Sequence, residues 1–412
     1  MSLVRGTAIN LAARLLSMAL VLAITAVAAR LGTAVQGAFA LFTSVEGVLL
    51  ALFSGFGIAL ARRVSHHGEQ PRALLGAMVL ACLALGTVAA ALLLGIALLG
   101  PPAYRMLWLL ALAAPLLLLA PNLAGVWLGE GRMAPMAAVS LAPPLLALAG
   151  LLLAGPSLAG VLSAWVVAKV LVGLAVLLLM LRAGRLGVPG IDALRAEAPF
   201  IATIGLTNLI GLLNYRVGLF VIERLLGLSA TGVYSIAVIV AELLWFVSGS
   251  VTQAVYGRIG TRDRTQAAAT TLRVVRLSLL ALLAVAPLLA LAAVLLIPLV
   301  LGEAYRASLP LLAWLLPGAL VFGAASALSA YFTNHAGRPQ VPARVAAVSL
   351  VLNATLSLTL VPLMGMAGAA LAASLSYGAS VLLLLRLFLR HAGLPVRSLW
   401  QREPVALRGG GS

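Results

Sequence analysis

Two stretches of this chain share one short pattern: RLGTAVQGAFAL at Arg30–Leu41 and LLGLSATGVYSI at Leu225–Ile236. Each contains a Leu-Gly pair, a second glycine five residues after the first, and an aromatic residue two positions further on. The second glycines, Gly37 and Gly232, are 195 residues apart. A turn that recurs at this distance, followed by further matches in the same order, indicates two copies of one structural unit.

The composition places both copies in a membrane. Of the 412 residues, 63% are hydrophobic and 9% are charged, whereas a soluble protein carries about 25% charged residues. Apolar runs of about 18 residues or more are long enough to cross a bilayer as helices. We therefore predict an all-α polytopic membrane protein with twelve transmembrane helices. The predicted spans are residues 7–30, 37–61, 73–98, 104–127, 134–154, 157–181, 198–222, 229–256, 272–297, 307–332, 342–364 and 367–389.

Further matches extend the repeat through both halves. GEGRM at 129–133 resembles HAGRP at 335–339, and AAVSL occurs at 137–141 and again at 346–350. Six spans per half is an even number, so both halves face the same way, and the sequence predicts two parallel six-helix bundles around a central cavity. The predicted domains are an N-terminal bundle, a C-terminal bundle and a cytoplasmic tail, at residues 1–190, 191–395 and 396–412.

The basic residues predict the orientation. The chain has 27 Lys and Arg residues and a net charge of +17. With the N-terminus in the cytoplasm, 20 of the 27 fall on the cytoplasmic side, four on the outer side and three within spans. Since Lys and Arg accumulate in cytoplasmic loops, both termini are predicted to be cytoplasmic. This bias accounts for the positive charge without a nucleic-acid partner.

Two charges are predicted deep in the first half. Lys169 of the sixth span and Glu46 of the second lie at similar depths. An ionisable group at the bilayer centre costs about 2.5–3.5 kcal/mol, so it should face protein or water. Lys169 therefore either pairs with Glu46 or lines the cavity as a substrate-binding cation.

A polar cluster is predicted in the seventh span. Asn208 and Tyr215 are seven residues apart and share a helix face, and Asn214 and Arg216 flank Tyr215. All four are candidate substrate-binding residues. Arg216 either fulfils that role or pairs with Glu242 of the eighth span.

Glu46 and Glu242 are 196 residues apart, at equivalent positions of the two halves. A membrane carboxylate without a cationic partner readily takes up a proton, so both are candidates for ion coupling as well as for structural pairing. Near the start of the first span, Arg14 and Asn10 are one turn apart on the same face. They either contact an anion at the cytoplasmic mouth, or Arg14 extends to the interface.

Several functions are disfavoured by what the sequence lacks. Cys82 is the single cysteine, no Walker motif is present, and the predicted outer loops carry too few carboxylates to hold a metal or supply a general base. We expect no enzyme activity, no cofactor and no metal. Three cations against two anions within the spans suit an anionic cargo, because Arg and Lys form charge-assisted hydrogen bonds with phosphate.

These motifs resemble the Wzx-type polysaccharide and O-antigen flippases of the multidrug/oligosaccharidyl-lipid/polysaccharide (MATE-like) exporter superfamily. The residues that carry the resemblance are AARLGTAVQGAFAL and GFGIALAR in the first half, then LLNYRVG, LLGLSATGVYSIA and the run from GRPQVPARV to SLSYG in the second. They cover almost the whole chain in the same order.

The resemblance implies that the chain moves an undecaprenyl-diphosphate-linked oligosaccharide from the inner to the outer leaflet of a bacterial inner membrane, in lipopolysaccharide and polysaccharide biosynthesis. It implies alternating access around a cationic cavity, coupling to an ion gradient, and partnership with a polysaccharide polymerase and chain-length proteins. Arg14 and Asn214–Arg216 match polar helix positions of the family. Relatives often carry Asp two residues after the arginine of the seventh span; here that residue is Gly218, so the coupling role passes to Glu242 or is lost.

Two alternatives stay open. A proton- or sodium-coupled multidrug antiporter of the same superfamily would need buried acids to bind cations, and these are scarce here. A non-transporting scaffold of a polysaccharide assembly complex would tolerate the loss of Lys169 or Arg216. Lipid II flippases carry two more helices than the twelve predicted here.

Overall fold

The computed structural model describes the backbone of residues 3–67, 71–254, 259 and 263–399. Side chains are described within these ranges except at residues 3–10, 66–67, 247, 251, 253 and 254. This part of the chain is helical almost throughout and contains no strand.

Twelve helical spans are long and apolar enough to cross a membrane within the described ranges, which confirms the predicted all-α polytopic fold and its twelve spans. In chain order, spans 1 to 12 are formed by Leu3–Arg30; Thr33–Phe53 and Gly55–His67; Arg72–Leu99; Leu107–Leu117, Leu119–Leu123 and Gly125–Gly129; Met133–Ala154; Leu158–Arg182; Ile191–Leu226; Leu228–Ala254; Arg264–Leu296 and Ile297–Leu301; Glu303–Ala307, Ser308–Ala324, Ser326–Ala330 and Tyr331–His335; Gln340–Met364; and Met366–Ala392. Short 3₁₀ turns lie at Pro102–Tyr104 and Val396–Leu399.

The turns between spans repeat along with the helices. All nine described residues with positive φ are glycines, the residue that adopts this conformation without a steric penalty. Eight of them form four pairs at offsets of 195 to 210 residues, and two of these pairs lie in the motifs that recur in the sequence. The pairs are Gly32 with Gly227, Gly131 with Gly337, Gly155 with Gly365, and Gly184 with Gly393. The backbone thus carries the same series of turns twice.

The fourth span of each copy, which is span 4 in the first and span 10 in the second, is interrupted. Pro115 lies inside the helix Leu107–Leu117, and Pro317 lies inside Ser308–Ala324, and each helix ends within eight residues of its proline. Proline removes a backbone hydrogen bond and clashes with the preceding turn, so it kinks or ends a helix. Span 4 is the most buried of the twelve described spans, and its side chains contribute to two apolar cores of the first half.

Span 7 begins at Ile191 rather than at the predicted residue 198. The helix thus starts seven residues before the predicted span. The reason is tertiary: Arg62 donates to one carboxylate oxygen of buried Glu197 at 2.7 Å, and Arg63 donates to the other at 2.8 Å. A polar segment is thereby fixed as the first two turns of a helix.

By packing, the chain divides into two compact units. The first comprises Met1–Leu212 with Gly227–Gly232, and the second comprises Leu213–Leu226 with Val233–Ser412. The early part of span 7 packs on span 2 with backbone contact, since a Cβ atom on Gly205 would lie 2.1 Å from the carbonyl oxygen of Leu52. The predicted division of the repeat between residues 190 and 191 stays a prediction, because a repeat of sequence need not coincide with a unit of packing.

Candidate functional site

A buried carboxylate in the first unit holds two donors from span 6. Glu46 forms an ion pair with the Lys169 ammonium through Oε1. Its Oε2 accepts a hydrogen bond of 2.7 Å from Trp165 Nε1. Trp165 and Lys169 are four residues apart, so both face Glu46 from one side of the helix. Of the two roles predicted for Lys169, the structure contains the ion pair.

The pair is not fully enclosed. The Lys169 side chain is 20% exposed while Glu46 is buried, and the ammonium lies 4.4 Å from the centroid of the Trp165 ring. The same ring meets Phe39 edge-to-face at 5.6 Å. The sequence analysis did not predict the contact of Trp165 with Glu46. The signal that could have indicated it is the four-residue spacing from Lys169, which places both side chains on one helix face.

The second unit contains the equivalent carboxylate with a different partner. Arg216 of span 7 binds Glu242 of span 8 through two parallel hydrogen bonds of 3.1 and 3.2 Å. The two side chains are 24% and 23% exposed. Bidentate Arg–carboxylate pairs are among the stronger polar contacts because both partners are charged and planar. Glu46 and Glu242 therefore occupy equivalent positions but take their cations from different helices.

Four aromatic rings form a cluster in the second unit, and one of them, Tyr215, is adjacent in sequence to Arg216. Tyr215 lies 4.9 Å from Trp245, Trp245 lies 5.4 Å from Phe322, and Phe322 lies 4.9 Å from Tyr377, between ring centroids. The rings come from spans 7, 8, 10 and 12. Only Tyr215 was predicted, because residues brought together from four distant spans leave no local signal in the sequence.

Asn214 is buried beside this cluster. Its backbone carbonyl accepts a hydrogen bond of 2.9 Å from the Asn353 side chain, whose own oxygen accepts one from Ser357 at 3.2 Å. The side-chain oxygen of Asn214 has no hydrogen-bond partner among the described atoms. A buried polar atom without a partner is costly, so it is a candidate contact for a ligand.

The other predicted site residues lie in the first unit. Asn208 is exposed and donates to the Ser54 hydroxyl at 2.7 Å. Arg14 is exposed, with no carboxylate within 4.0 Å among the described side chains. The side chain of Asn10 lies outside the described residues. The substrate-binding and ion-coupling roles of all these residues stay predictions.

The repeated turns that open the sequence meet each other inside the first unit. A Cβ atom on Gly37 would lie 1.9 Å from the carbonyl oxygen of Leu228, and one on Gly232 would lie 2.0 Å from the carbonyl oxygen of Thr33. Thr33 and Leu228 are themselves 195 residues apart, as the two glycines are. The starts of spans 2 and 8 therefore cross at backbone contact, in a reciprocal arrangement.

No group of three His, Cys, Asp or Glu side chains suited to a metal ion occurs in the described part of the chain.

Neither a family model nor a curated protein matches this sequence. Solved structures do match over nearly the whole chain. An inward-facing multidrug resistance MATE family transporter of the MOP superfamily aligns with a TM-score of 0.75 at 17% identity, covering 92% of this chain and 94% of that one. The lipid II flippase MurJ, in an inward closed conformation, aligns with a TM-score of 0.76 at 14% identity, covering 96% and 89%.

A third matching structure is that of a MOP superfamily transporter from Pyrococcus furiosus, whose binding pocket has a reverse polarity that suggests a different function. It aligns with a TM-score of 0.58 at 15% identity, covering 96% of this chain and 94% of that one. The chain thus has the fold of the MATE and MurJ transporters, and identities this low establish the fold alone.

Proposed function

We propose that this protein flips an undecaprenyl-diphosphate-linked oligosaccharide from the inner to the outer leaflet of a bacterial inner membrane by alternating access. The observation that carries the proposal is the charge arrangement within the spans. Glu46 and Glu242 are each neutralised by a cation, while Arg14 has no carboxylate within 4.0 Å among the described side chains. The unbalanced charge is positive, which suits an anionic diphosphate.

The fold supports transport as the general activity. Its two copies of one helical plan provide two halves that can move against each other, the arrangement on which alternating access depends. One matched structure is that of a multidrug resistance transporter and another is that of a lipid II flippase. The polar headgroup would cross the membrane within the protein while the polyprenyl tail stays in the lipid.

The ion pairs provide a means of coupling. A guanidinium has five N–H donors, and Arg216 uses two of them on Glu242, so donors remain for phosphate oxygens. Protonation of Glu242 or Glu46 would release Arg216 or Lys169 to bind the diphosphate more strongly. Binding of the cargo and the charge state of each carboxylate would thereby be linked. Asn208, Asn214 and Tyr215 are proposed as polar contacts for the cargo, with Arg14 and Asn10 near the entrance.

Reconstitution tests the proposal. Purified protein in liposomes receives a fluorescent undecaprenyl-diphosphate-linked sugar, and its transfer between leaflets is measured with and without a pH gradient. We expect transfer above that of protein-free liposomes, with a rate that depends on the gradient. No transfer under any gradient would contradict the proposal. Partnership with a polysaccharide polymerase and chain-length proteins follows from the same proposal and is tested by co-purification.

A second candidate is multidrug antiport, favoured by the four rings Tyr215, Trp245, Phe322 and Tyr377. Aromatic faces attract organic cations. Proton-driven efflux of ethidium from the same liposomes, without movement of the lipid-linked sugar, would favour this candidate. A scaffold function predicts neither activity.

A further inference from the structure

A cleft opens between spans 5 and 6 of the first unit, and neither Lys169 nor Glu46 lines it. Its volume is about 590 Å³, within the range of about 300–1,000 Å³ that small-molecule sites occupy. Its walls are apolar side chains from one face of each helix, spaced three or four residues apart. On span 5 they run from Pro135 to Leu146, and on span 6 from Leu171 to Ala183.

Only one end of the cleft is charged. Arg132 and Arg185 line it there, and Glu130 binds both: Arg185 at 2.5 Å and Arg132 at 3.5 Å. One carboxylate between two guanidinium groups leaves a net positive charge. The Arg132 side chain is also 54% exposed, so N–H donors remain available to an anion.

The length of the cleft matches one leaflet of a bilayer. Leu146 lies 11 positions after Pro135, which is a rise of roughly 16 Å at about 1.5 Å per residue. Half of a hydrocarbon core of about 30 Å is about 15 Å. Both arginines lie just beyond the ends of the helices, where the headgroups of that leaflet would lie.

The sequence of span 5 explains why the cleft closes midway. Pro143 and Pro144 lie inside the helix Met133–Ala154, and prolines in a helix interior kink it. Beyond Leu146, the last lining residue of span 5, the helices are close, since a Cβ atom on Gly150 would lie 3.4 Å from that of Ala164. On the near side, alanines at 138, 142 and 175 leave the space open.

We propose that this cleft binds an anionic phospholipid of the surrounding leaflet, with its phosphate on Arg132 and Arg185 and one acyl chain along spans 5 and 6. An acyl chain of ordinary length ends at the bilayer midplane, as the cleft does. An undecaprenyl tail is several times longer than the cleft and does not fit it. The site is thus distinct from the path proposed for the cargo and does not depend on that proposal.

Native mass spectrometry tests this site on the intact protein, with phosphatidylglycerol and phosphatidylcholine of identical acyl chains as probes. We expect the wild-type protein to retain phosphatidylglycerol about tenfold more than phosphatidylcholine, which corresponds to about 1.4 kcal/mol. The double variant Arg132→Gln, Arg185→Gln should lose this preference. Arg195→Gln, which alters an arginine 79% exposed outside the cleft, should keep it.

A second variant covers the case in which the arginine variants fail to fold. Ala142→Leu with Ala175→Leu fills the cleft without changing its charges and should lower the retention of both lipids. Equal retention of the two lipids by the wild type would overturn the proposal. So would wild-type retention in the filled variant, or stronger retention of undecaprenyl phosphate than of phosphatidylglycerol.

Discussion

Gly37 and Gly232, which hold equivalent positions in the two copies of the repeat, each lie against a backbone carbonyl at the start of the other's helix. The contact is reciprocal: Gly37 meets Leu228, Gly232 meets Thr33, and those two residues are also equivalent. Such close approach is open only to residues without a side chain. The sequence pattern that first indicates a duplication is therefore also the place where its copies touch.

Gly37→Ala and Gly232→Ala should each destabilise the protein. The added methyl group would lie within 2.0 Å of a carbonyl oxygen, so the helices must move apart, and overpacking of this kind costs about 1–3 kcal/mol. Gly211→Ala is the matched control, since nothing lies within 4 Å of its Cβ position. Thermal unfolding in detergent measures the effect. Equal melting temperatures for Gly37→Ala and Gly211→Ala would show that the crossing is loose.

Lys169→Met should be strongly destabilising because it leaves the buried Glu46 carboxylate with Trp165 as its one remaining described partner. Removing one member of a buried ion pair costs up to about 3–5 kcal/mol. The double variant Glu46→Gln, Lys169→Met should recover most of that stability but not leaflet transfer of the lipid-linked sugar. Chemical unfolding and transfer rates measure the two effects. Full transfer by the double variant would mean that the pair is structural only.

Arg216→Lys tests whether the guanidinium geometry matters in addition to its charge. Lysine keeps the positive charge but cannot make the two parallel bonds to Glu242. We expect the protein to fold and the transfer rate to fall by about tenfold or more, the factor for a loss of about 1.4 kcal/mol. A scaffold would tolerate this change, so an unchanged glycan export in cells would favour the scaffold alternative.

Asn214→Leu and Asn353→Leu form a contrast between a predicted ligand contact and a structural one. The Asn214 side-chain oxygen has no described partner, so its replacement should leave stability nearly unchanged and should lower transfer. Asn353 donates to the buried carbonyl of Asn214, and losing that bond should cost about 1–3 kcal/mol. Parallel unfolding and transfer measurements distinguish them. An Asn214→Leu protein with normal transfer would remove Asn214 from the proposed site.

The spans were predictable because a helix is the only form in which a single segment can satisfy its backbone in lipid, so length and hydropathy alone place Leu158–Arg182 or Met133–Ala154 within a few residues. The start of span 7 was not predictable from the sequence. Glu197 lies in the helix and binds Arg62 and Arg63, which are more than 130 positions away along the chain. A pattern of polarity cannot reveal such a partner.

The ion pairs were partly predictable. Similar depth in the membrane suggested that Glu46 pairs with Lys169, and Glu242 was a candidate partner of Arg216. Both pairs form. Depth does not reveal which helices are neighbours. The aromatic group around Tyr215 and the cleft at Arg132 were therefore visible only in the structure.

The most direct measurement of the central claim compares cargoes of different charge in one set of liposomes. Fluorescent undecaprenyl lipids carry the same sugar through a diphosphate or through a neutral linkage, and transfer of each is followed with ethidium efflux as a third assay. The account predicts transfer of the diphosphate lipid, little transfer of the neutral lipid and no ethidium efflux, with transfer lost in Arg216→Ala. Equal transfer of both lipids, or ethidium efflux alone, would contradict it.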